Sequence, residues 1–430
     1  MAKPDSAFFS PDVTQATDLD NAWLNFDPQL PLPDDTHPFY VHRPGEPVRL
    51  LAEALRRSVG RSSDKFFFSG YRGSGKSTEL NRLFNSAKLR ERYWIARYSV
   101  RETADIQNLD AIDILLLLVA QIYEQYTAAG EELNDDILRE LEGWKDRTVE
   151  NLRDKGAVFE SGAGFDLKAF FLAATLKLKT EHSTREQIRE VIRPRVSELI
   201  EKIDIIAAAI HARQKKPLLV LVDDLDKLNL ENARKLFCDN LNTLTEPNFA
   251  IVYTIPSALL YEDTFMDTPL QSSSKYLTNV RLHQKGSVVP DAEGVGFFRR
   301  FIQKRMNGAL IEPDATDALI AMSGGVPSQL VLAVRAAIEN ASQRDAAQVT
   351  MADVPWALSQ LRNPLLRLLS DGDIEVLKEI QRSHPDRFAE PQKQARLIHI
   401  QAALQYSNED SDGVAWLDVN PVLAEVLKRA

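Results

Sequence analysis

The stretch Lys65-Phe66-Phe67-Phe68-Ser69-Gly70-Tyr71-Arg72-Gly73-Ser74-Gly75-Lys76-Ser77-Thr78 decides the fold of this 430-residue chain. Its apolar run predicts a buried strand that ends at Gly70. Residues 70–77 then match the phosphate-binding pattern G-x-x-x-x-G-K-[ST] in full. Leu80, Leu83 and Phe84 follow at the spacing of one helix face. A strand, a glycine loop and a helix in this order predict a phosphate-binding loop rather than a Gly/Ser turn with a solvated lysine.

Each residue type in the loop has a physical reason. Glycines allow positive φ, so that backbone N–H groups point at phosphate oxygens, and a helix N-terminus favours anions. Lys76 is predicted to contact the β- and γ-phosphates of ATP, and the Ser77 hydroxyl is predicted to bind Mg²⁺. The predicted nucleotide-binding residues of the loop are Gly70, Gly73, Ser74, Gly75, Lys76, Ser77 and Thr78.

A second stretch, Leu218-Leu219-Val220-Leu221-Val222-Asp223-Asp224, has the Walker B pattern of an apolar strand that ends in two acids. A strand that is apolar on both faces belongs in the middle of a parallel sheet, and its carboxyl end faces the ligand. Asp223 is predicted to hold Mg²⁺. Asp224 is predicted to be catalytic, as the acid that polarises the attacking water. Most such ATPases have Glu there, so the shorter Asp allows slow hydrolysis.

Composition restricts the classes of partner and compartment. The net charge is −10 and the pI is near 5.4, so the surface as a whole does not match nucleic acid, and DNA contact would need a local basic patch. A single cysteine, Cys238, fits a reducing compartment without a disulfide framework. No signal-peptide hydrophobic region occurs in residues 1–20, and the longest apolar run, 114–120, is too short to span a bilayer. The sequence predicts a cytoplasmic protein without membrane contact.

Four further residues are candidates for the site, and three of them have a structural alternative. Thr254 lies near the end of a predicted strand, 248–255, where it would touch the γ-phosphate or orient the water, or would satisfy a backbone group. Val41 and Arg43 precede the loop and form a turn before a helix, or line the base pocket, as the family resemblance described below implies. Pro327 follows Gly324-Gly325 and opens a predicted helix whose positive end would face the nucleotide.

The middle of the chain is predicted to be helical. Strand 93–100 is followed by helices over 103–126, 131–154 and 184–213, with Pro194 kinking or breaking the last one. Segment 155–181 is interpreted as a hairpin, an amphipathic membrane-proximal piece or a packed insertion, of which the packed insertion is favoured. Four arginines at 185, 189, 193 and 195 form a solvated face, an inter-subunit contact or a phosphate-sensing patch. Arg299, Arg300 and Arg305 are either solvated or candidates for an arginine finger.

The tail, 363–430, is predicted to be a winged helix. Its elements are helices over 373–382 and 391–406, a polar turn over 408–413, a strand over 415–419 and a last helix over 421–428. Lys393, Arg396 and His399 would face DNA if the module binds it. The nearly balanced charge of the module favours a structural or protein-contact role instead.

Taken in order, residues 70–77, 223–226, 254 and 324–327 resemble the STAND and origin-initiator branch of AAA+-like P-loop ATPases, and the string DDLDKL at 223–228 is similar to the KAP subgroup. Segment 39–46 resembles the part of such ATPases that packs against adenine. The resemblance implies a five-stranded parallel sheet, a helical lid and an ATP/ADP switch that controls oligomerisation. Many relatives have Arg after Gly-x-Pro. Here Ser328 and Gln329 follow Pro327, so that nucleotide sensor is missing or is supplied elsewhere, with Arg335 as a candidate.

The predicted fold is α/β, a P-loop NTPase with a parallel five-stranded sheet, a helical insertion, a helical lid and a C-terminal winged helix. The predicted domains are an extended arm (1–38), an ATPase core (39–290, with the insertion over about 103–213), a lid (291–362) and the winged helix (363–430). The arm is disordered, or wraps the core or a neighbouring subunit.

The predicted function is a Mg²⁺-dependent ATPase switch whose nucleotide state controls homo-oligomerisation or engagement of a protein effector. The habits of the family imply bacterial defence or signalling. The alternative is a DNA-engaging initiator or loader that uses the winged helix.

Overall fold

Five strands form one parallel sheet in the computed structural model, which describes residues 13–29, 31–45, 48–59, 64–159, 165–266, 268, 273–386, 391–407 and 415–429. The strands are β1 (Lys65–Gly70), β2 (Trp94–Ser99), β3 (Leu218–Asp223), β4 (Ala250–Pro256) and β5 (Ser274–Leu277). Their order across the sheet is β2-β3-β4-β1-β5, and every neighbouring pair is parallel. The predicted α/β fold and its five-stranded sheet are confirmed. Strand β4 lies between β1, which leads into the glycine loop, and β3, which ends at Asp223.

The sheet is buried on both faces, as the apolar runs in the sequence require. Phe66, Phe68 and Leu221 pack toward helices α2 (Arg49–Ser58) and α3 (Lys76–Asn85). Phe67 and Val222 belong to the larger core on the opposite face, together with the helical insertion. Burying such side chains contributes roughly 1.5–3 kcal/mol each, so the carboxyl edge of the sheet is a rigid support for the loops that it carries.

The insertion consists of helices packed over one another and over the edge strand β2. A short helix, α4 (Ala87–Arg90), precedes β2 and lies outside the insertion. The elements of the insertion are α5 (Val100–Thr103), α6 (Ala111–Ala128), α7 (Asp135–Asp154), α8 (Leu167–Thr180), α9 (His182–Ile192) and α10 (Val196–Gln214). The helix predicted from 103 begins at Ala111, because Asp110 and Asp113 form a reciprocal capping box there. Residues 193–195 form a 3₁₀ turn, so the predicted break at Pro194 is confirmed. Helix α8 buries Phe170 and Phe171, as a packed insertion requires.

The arginine cluster at the start of the last insertion helices holds the insertion together. Arg185 pairs with Asp105 at 3.0 Å, Arg193 pairs with Asp110 at 3.0 Å, and Arg189 pairs with Asp113. The side chains of Arg185 and Arg189 are 3% and 6% exposed, so the prediction of a solvated face is wrong for these two. Their charges fix α9 against the segment that precedes α6.

The second half of the chain is mainly helical. Between β3 and β5 lie α11 (Leu230–Arg234), a π-helical turn (Lys235–Asp239), α12 (Leu241–Thr245) and α13 (Asp263–Met266). The lid contains α14 (Ala292–Arg305), α15 (Pro313–Met322), α16 (Pro327–Gln343) and α17 (Val354–Leu366). The boundary predicted between residues 362 and 363 falls inside α17. The lid and the tail share one apolar core.

The C-terminal module has two helices followed by an antiparallel pair of strands. Its elements are α18 (Asp371–Ser383), α19 (Pro391–His399), β6 (Ala403–Ser407), β7 (Ala415–Val419) and α20 (Ala424–Arg429). The prediction of a helix over 391–406 is wrong beyond His399. Gln401 has a φ of 63°, which ends the helix, and residues 403–407 pair with β7. The polar turn predicted at 408–413 lies outside the described residues. The identity of the module as a winged helix stays a prediction.

The described part of the N-terminal arm wraps the chain's own core. Helix α1 (Leu19–Asn25) places Trp23 under the guanidinium of Arg335, 3.5 Å from the ring centroid. Farther along, Leu32 accepts a hydrogen bond from Asn81 of α3 at 2.8 Å. The arm therefore ties the lid to the helix that follows the glycine loop. Residues 1–12, with Phe8 and Phe9, lie outside the described residues. Among the described helices, none has the length and apolarity needed to cross a bilayer.

Candidate nucleotide site

The glycine loop has the conformation that its sequence predicts. Gly73 and Gly75 have φ values of 79° and 99°, a region that side chains rarely occupy. Helix α3 begins at Lys76, whose buried ammonium donates to the carbonyls of Gly70 and Tyr71 at 2.8 and 2.7 Å. The same ammonium pairs with Asp226 at 2.8 Å. A cation is thus fixed inside the loop and joined to the turn that follows β3.

Three carboxylates gather beside this cation. Asp223, Asp224 and Asp226 each place an oxygen within 4.8 Å of the others. Burial, together with the neighbouring acids and despite the opposing Arg97, raises the pKa of Asp223. Oxygen donors of this kind are the ligands that Mg²⁺ prefers. The donor set therefore fits the predicted metal, with Asp226 as a member that the sequence interpretation did not assign.

Asp223 and Asp224 are both held by polar partners. Asp223 accepts from the Asp224 backbone N–H at 2.8 Å and from the Arg97 guanidinium at 2.6 Å. Asp224 has a φ of 70°, a left-handed conformation that Asp tolerates. Its carboxylate accepts from the Ser99 hydroxyl and pairs with Lys227. The carboxylate predicted to be the catalytic base lies at the carboxyl edge of the sheet, next to β2.

The other loop residues have different surroundings. The Ser74 hydroxyl is buried and has no hydrogen-bond partner among the described residues. Ser77 lies in the first turn of α3 and is partly exposed. The Thr78 hydroxyl accepts from the backbone N–H of Leu32 at 3.1 Å. The side chain of Thr78 therefore contacts the arm, and its contact with nucleotide stays a prediction.

Arg43 reaches the glycine loop from the preceding segment. Its guanidinium donates to the Ser74 carbonyl at 2.6 Å and to the Thr278 carbonyl. Val41 packs, partly buried, against the core shared by the lid and the tail. Tyr40 donates to Glu79 of α3 at 3.3 Å, and burial raises the pKa of this phenol. The segment contacts the loop through Arg43, and its predicted role in base binding stays a prediction.

Thr254 supports the turn that carries Asp224. Its hydroxyl accepts from the Leu225 N–H at 3.0 Å and donates to the Val222 carbonyl at 3.3 Å, and the residue is fully buried. Of the two predicted roles, the structure contains the backbone-satisfying one. Contact with a phosphate stays a prediction.

The lid touches the loop at the start of α16. Pro327 is the first residue of this helix, and the Ser328 N–H donates to the Gly73 carbonyl at 3.1 Å. The approach is so close that a β-carbon on Gly73 would lie 1.7 Å from the Ser328 hydroxyl oxygen. The position of the start of α16 therefore depends on the conformation of the loop backbone at Gly73.

Three candidate arginines lie away from the loop. Arg335 stacks on Trp23 and donates to the Phe26 carbonyl at 3.4 Å, so it does not supply the missing nucleotide sensor in this arrangement. Arg299 pairs with Asp317 at 2.7 Å. Arg305 is buried, donates to the Phe39 carbonyl at 3.1 Å and stacks on Phe301. Arg305 thus holds α14 against the segment before α2. Because its guanidinium is buried, it cannot reach a neighbouring subunit as an arginine finger in this arrangement.

The C-terminal module also rests on the loop. The Tyr71 hydroxyl donates to the Ala403 carbonyl at 3.1 Å, and the Gln401 side chain donates to the Arg72 carbonyl at 2.5 Å. His399 faces a cavity of about 230 Å³ that is also lined by Gly70, Arg72 and Asp226. Burial and the nearby Arg72 lower the pKa of His399. The module thereby covers the open side of the loop.

Sequence reasoning missed four contributors to this site. Asp226 and Arg97 carried usable signals, since Asp226 is a third acid in DDLDKL and Arg97 is a lone charge in an apolar strand. Gln401 and His399 carried none, because their position depends on how the C-terminal module packs.

Comparison with known proteins gives remote structural similarity. No protein-family model matches the chain, and no curated protein matches it. The ORC2 protein of Aeropyrum pernix in its ADPNP–ADP complexes is 12% identical, with a TM-score of 0.44 over 94% of this chain and 96% of that chain. The Drosophila ORC bound to DNA is 12% identical, with a TM-score of 0.43 over 100% and 95%. A Walker-type ATPase of Pyrococcus abyssi is 16% identical, with a TM-score of 0.41 over 94% and 99%.

Resemblance of this degree assigns no function to the chain. The features of the STAND and KAP groups stay predictions.

Proposed function

We propose that this chain is an AAA+-like P-loop ATPase in which the nucleotide on the glycine loop sets the position of the lid and the C-terminal module. One observation carries the proposal. The loop that holds the buried Lys76 next to the acid cluster is also the surface on which α16 and the C-terminal module rest, through the Tyr71 hydroxyl and the backbone carbonyls of Arg72 and Gly73. A ligand that changes the loop must change those contacts.

The chain's own groups suit an ATP phosphate chain. Lys76 is buried and already oriented by two carbonyls, so it is a preorganised point charge for phosphate oxygens. The start of α3 contributes its positive end, and the unpartnered Ser74 hydroxyl is a further donor. Arg43 and Val41 would contact the base from the segment before α2.

Asp223, with Ser77, would hold Mg²⁺, and Asp226 is close enough to join them. When bound, the metal supplies charge neutralisation for the phosphates. Asp224 would accept the proton of the attacking water. For this it must give up its contacts with Ser99 and Lys227, so the arrangement described here is a resting one. Slow turnover fits both this requirement and the short Asp side chain.

The switch follows from differential affinity, because a nucleotide shifts an equilibrium only as far as it prefers one state. Widening the loop around phosphates would disturb the Gly73–Ser328 contact and the Arg72–Gln401 contact together. The surface uncovered by the module would then mediate homo-oligomerisation or bind a protein effector. A place in bacterial defence or signalling follows only from the resemblance of the motifs.

Lys76→Ala tests the proposal. Binding of a fluorescent non-hydrolysable ATP analogue, measured by anisotropy, is expected to fall by at least about a hundredfold, since a buried charge–phosphate contact is lost. Any change in molar mass that the analogue causes in light scattering should disappear. Lys88→Ala, at an exposed lysine of α4, is the control and should behave like wild type. Undiminished binding or assembly in the Lys76 variant would refute the proposal.

DNA engagement is the second candidate. The Drosophila ORC bound to DNA and the Aeropyrum pernix ORC1 protein in complex with DNA are among the solved structures similar to this chain. In this chain, Arg396 is paired with Asp373 at 2.7 Å and His399 faces the cavity at the loop. Of the three residues predicted to face DNA, Arg396 is therefore already paired within the chain, and His399 lies at the loop instead.

If the module binds DNA, it should do so after leaving the loop. Anisotropy of a labelled duplex with the full chain, at low and high salt, with and without the ATP analogue, separates the candidates. Salt-sensitive binding that needs the analogue supports this candidate. If the protein binds the analogue but does not bind the duplex even at low salt, the switch that acts on oligomerisation or a protein effector is the remaining candidate.

A further inference from the structure

Arg97 is a charged residue in the middle of the strand β2, and its guanidinium lies on the acid cluster. The Arg97 Nη2 atom is 2.6 Å from the Oδ2 atom of Asp223. The side chain of Arg97 is 19% exposed and that of Asp223 is 1% exposed. Removing one partner of an ion pair that is largely removed from water is costly, because the other charge is then left buried without a partner.

The guanidinium is only partly satisfied in this arrangement. It contacts Asp223 through one nitrogen instead of the two-pronged geometry that guanidinium and carboxylate usually adopt. Its Nε atom is buried and has no hydrogen-bond partner among the described residues. A buried N–H without an acceptor is unfavourable. The contact with Asp223 is therefore weaker than a bidentate guanidinium–carboxylate pair would be. A weaker contact is easier to break when another cation binds Asp223.

Both carboxylate oxygens of Asp223 already accept hydrogen bonds, so a metal ion would have to compete for one of them. Asp223 has one oxygen on the Asp224 N–H and the other on Arg97. A metal ion on Asp223 would need one of these oxygens. It would also repel the guanidinium, since two positive charges a few ångströms apart in a shielded site repel strongly.

We propose that Arg97 is a displaceable counter-ion of Asp223, which competes with Mg²⁺ for this carboxylate and so sets the Mg²⁺ requirement of nucleotide binding. The inference rests on the proposed function and adds a regulatory residue to it. In the metal-free state Arg97 neutralises Asp223. With the metal on Asp223, the guanidinium of Arg97 would move away from this carboxylate, and its Nε atom could then donate to another acceptor.

The exchange is confined to the side chain of Arg97. Its backbone N–H and carbonyl, on the edge strand of the sheet, are both held by the side-chain amide of Gln125 in α6, at 3.1 and 2.9 Å. Substitution of Arg97 therefore leaves the strand in register, and variants report on the charge.

The nucleotide-free protein gives the primary test. Mn²⁺ serves as the probe, and its free concentration is followed by electron paramagnetic resonance during titration of wild type, Arg97→Gln and Arg97→Lys. Removing a charged hydrogen bond that competes for the ligand should tighten Mn²⁺ binding in the Gln variant by about tenfold. The Lys variant should stay within about threefold of wild type. Arg101→Gln, at an exposed arginine of α5, is the matched control and should not differ.

The second measurement uses the fluorescent ATP analogue at increasing Mg²⁺, beginning in EDTA. The Mg²⁺ concentration at half-saturation should fall about tenfold in Arg97→Gln. Equal or weaker metal binding by Arg97→Gln in the first measurement would overturn the inference. If no variant binds the analogue while the Mn²⁺ difference persists, the proposed function fails and the competition at Asp223 stands.

Discussion

Gly73 is the point at which the phosphate loop and the lid approach most closely, and Gly73→Ala is predicted to separate them. A β-carbon at this position would lie 1.7 Å from the Oγ atom and 2.5 Å from the Cβ atom of Ser328. The overlap forces the first turn of α16 to move, which costs about 1–3 kcal/mol. The φ of 79° adds strain of about 1–2 kcal/mol for any side chain. The expected destabilisation of the contact is therefore about 2–5 kcal/mol.

Hydrogen exchange measured by mass spectrometry on the nucleotide-free protein reports this contact directly. The Ser328 N–H donates to the Gly73 carbonyl, so its exchange should accelerate by at least about tenfold for each 1.4 kcal/mol lost. The effect should appear in peptides that cover the start of α16, and less in peptides from β3 or β4.

Two matched variants separate the overlap from the strain. Ser328→Gly removes the atoms that the new β-carbon meets, so the double variant should recover the overlap share of about 1–3 kcal/mol. Gly130→Ala has a similar φ of 80° with nothing within 4 Å, so it should show strain without any effect on α16. If Gly73→Ala leaves exchange at α16 unchanged, or if Ser328→Gly recovers nothing, the described contact between loop and lid is refuted.

Two further predictions concern catalysis and stability. Asp224→Asn should lower the rate of phosphate release by about a hundredfold or more while nucleotide binding is kept, because only a carboxylate accepts the proton. Asp224→Glu should retain turnover. Wild-type turnover of the Asn variant in a phosphate-release assay would contradict the role of Asp224. Burial lowers the pKa of Lys65 from 10.5 to about 8, so the unfolded chain binds the proton more tightly between these values, and stability should rise with pH there by up to about 1.4 kcal/mol per unit. In Lys65→Met this contribution is absent. Between about pH 8 and 9.5, the free energy of unfolding of the wild type should therefore rise relative to that of the variant, as measured by thermal or urea unfolding. A difference between the two proteins that stays constant with pH would rule this contribution out.

The phosphate loop and the Walker B strand could be predicted because their chemistry is contiguous in the chain. Residues 70–77 bind through their own backbone, so a short stretch contains the requirement for glycine, lysine and hydroxyl at fixed spacing. Likewise, an apolar run followed by acids predicts a central strand whose carboxyl end faces the ligand. These local signals were sufficient for the α/β class and for the neighbourhood of Lys76 and Asp223.

Some errors came from local signals that were outweighed or overlooked. The helix expected over 391–406 ends at His399, because Tyr406 packs against Trp416, with tilted rings whose centroids are 4.8 Å apart, and its strand pairs with β7. Tertiary pairing outweighed helical periodicity there. The start of α6 at Ala111 did have a local signal, the capping box of Asp110 and Asp113.

By itself, the sequence determined that the chain has a P-loop, an acid-ended central strand and a long helical insertion. Only the tertiary structure decided which residues meet at the loop. It brought Asp226 to Lys76, Arg97 to Asp223, and Gln401 of the C-terminal module to the backbone of Arg72. The physical reason is that these contacts join side chains far apart in the chain, whose meeting depends on the order of strands and the packing of whole helices. Periodicity reports which face of an element is buried, but not which distant element will cover it.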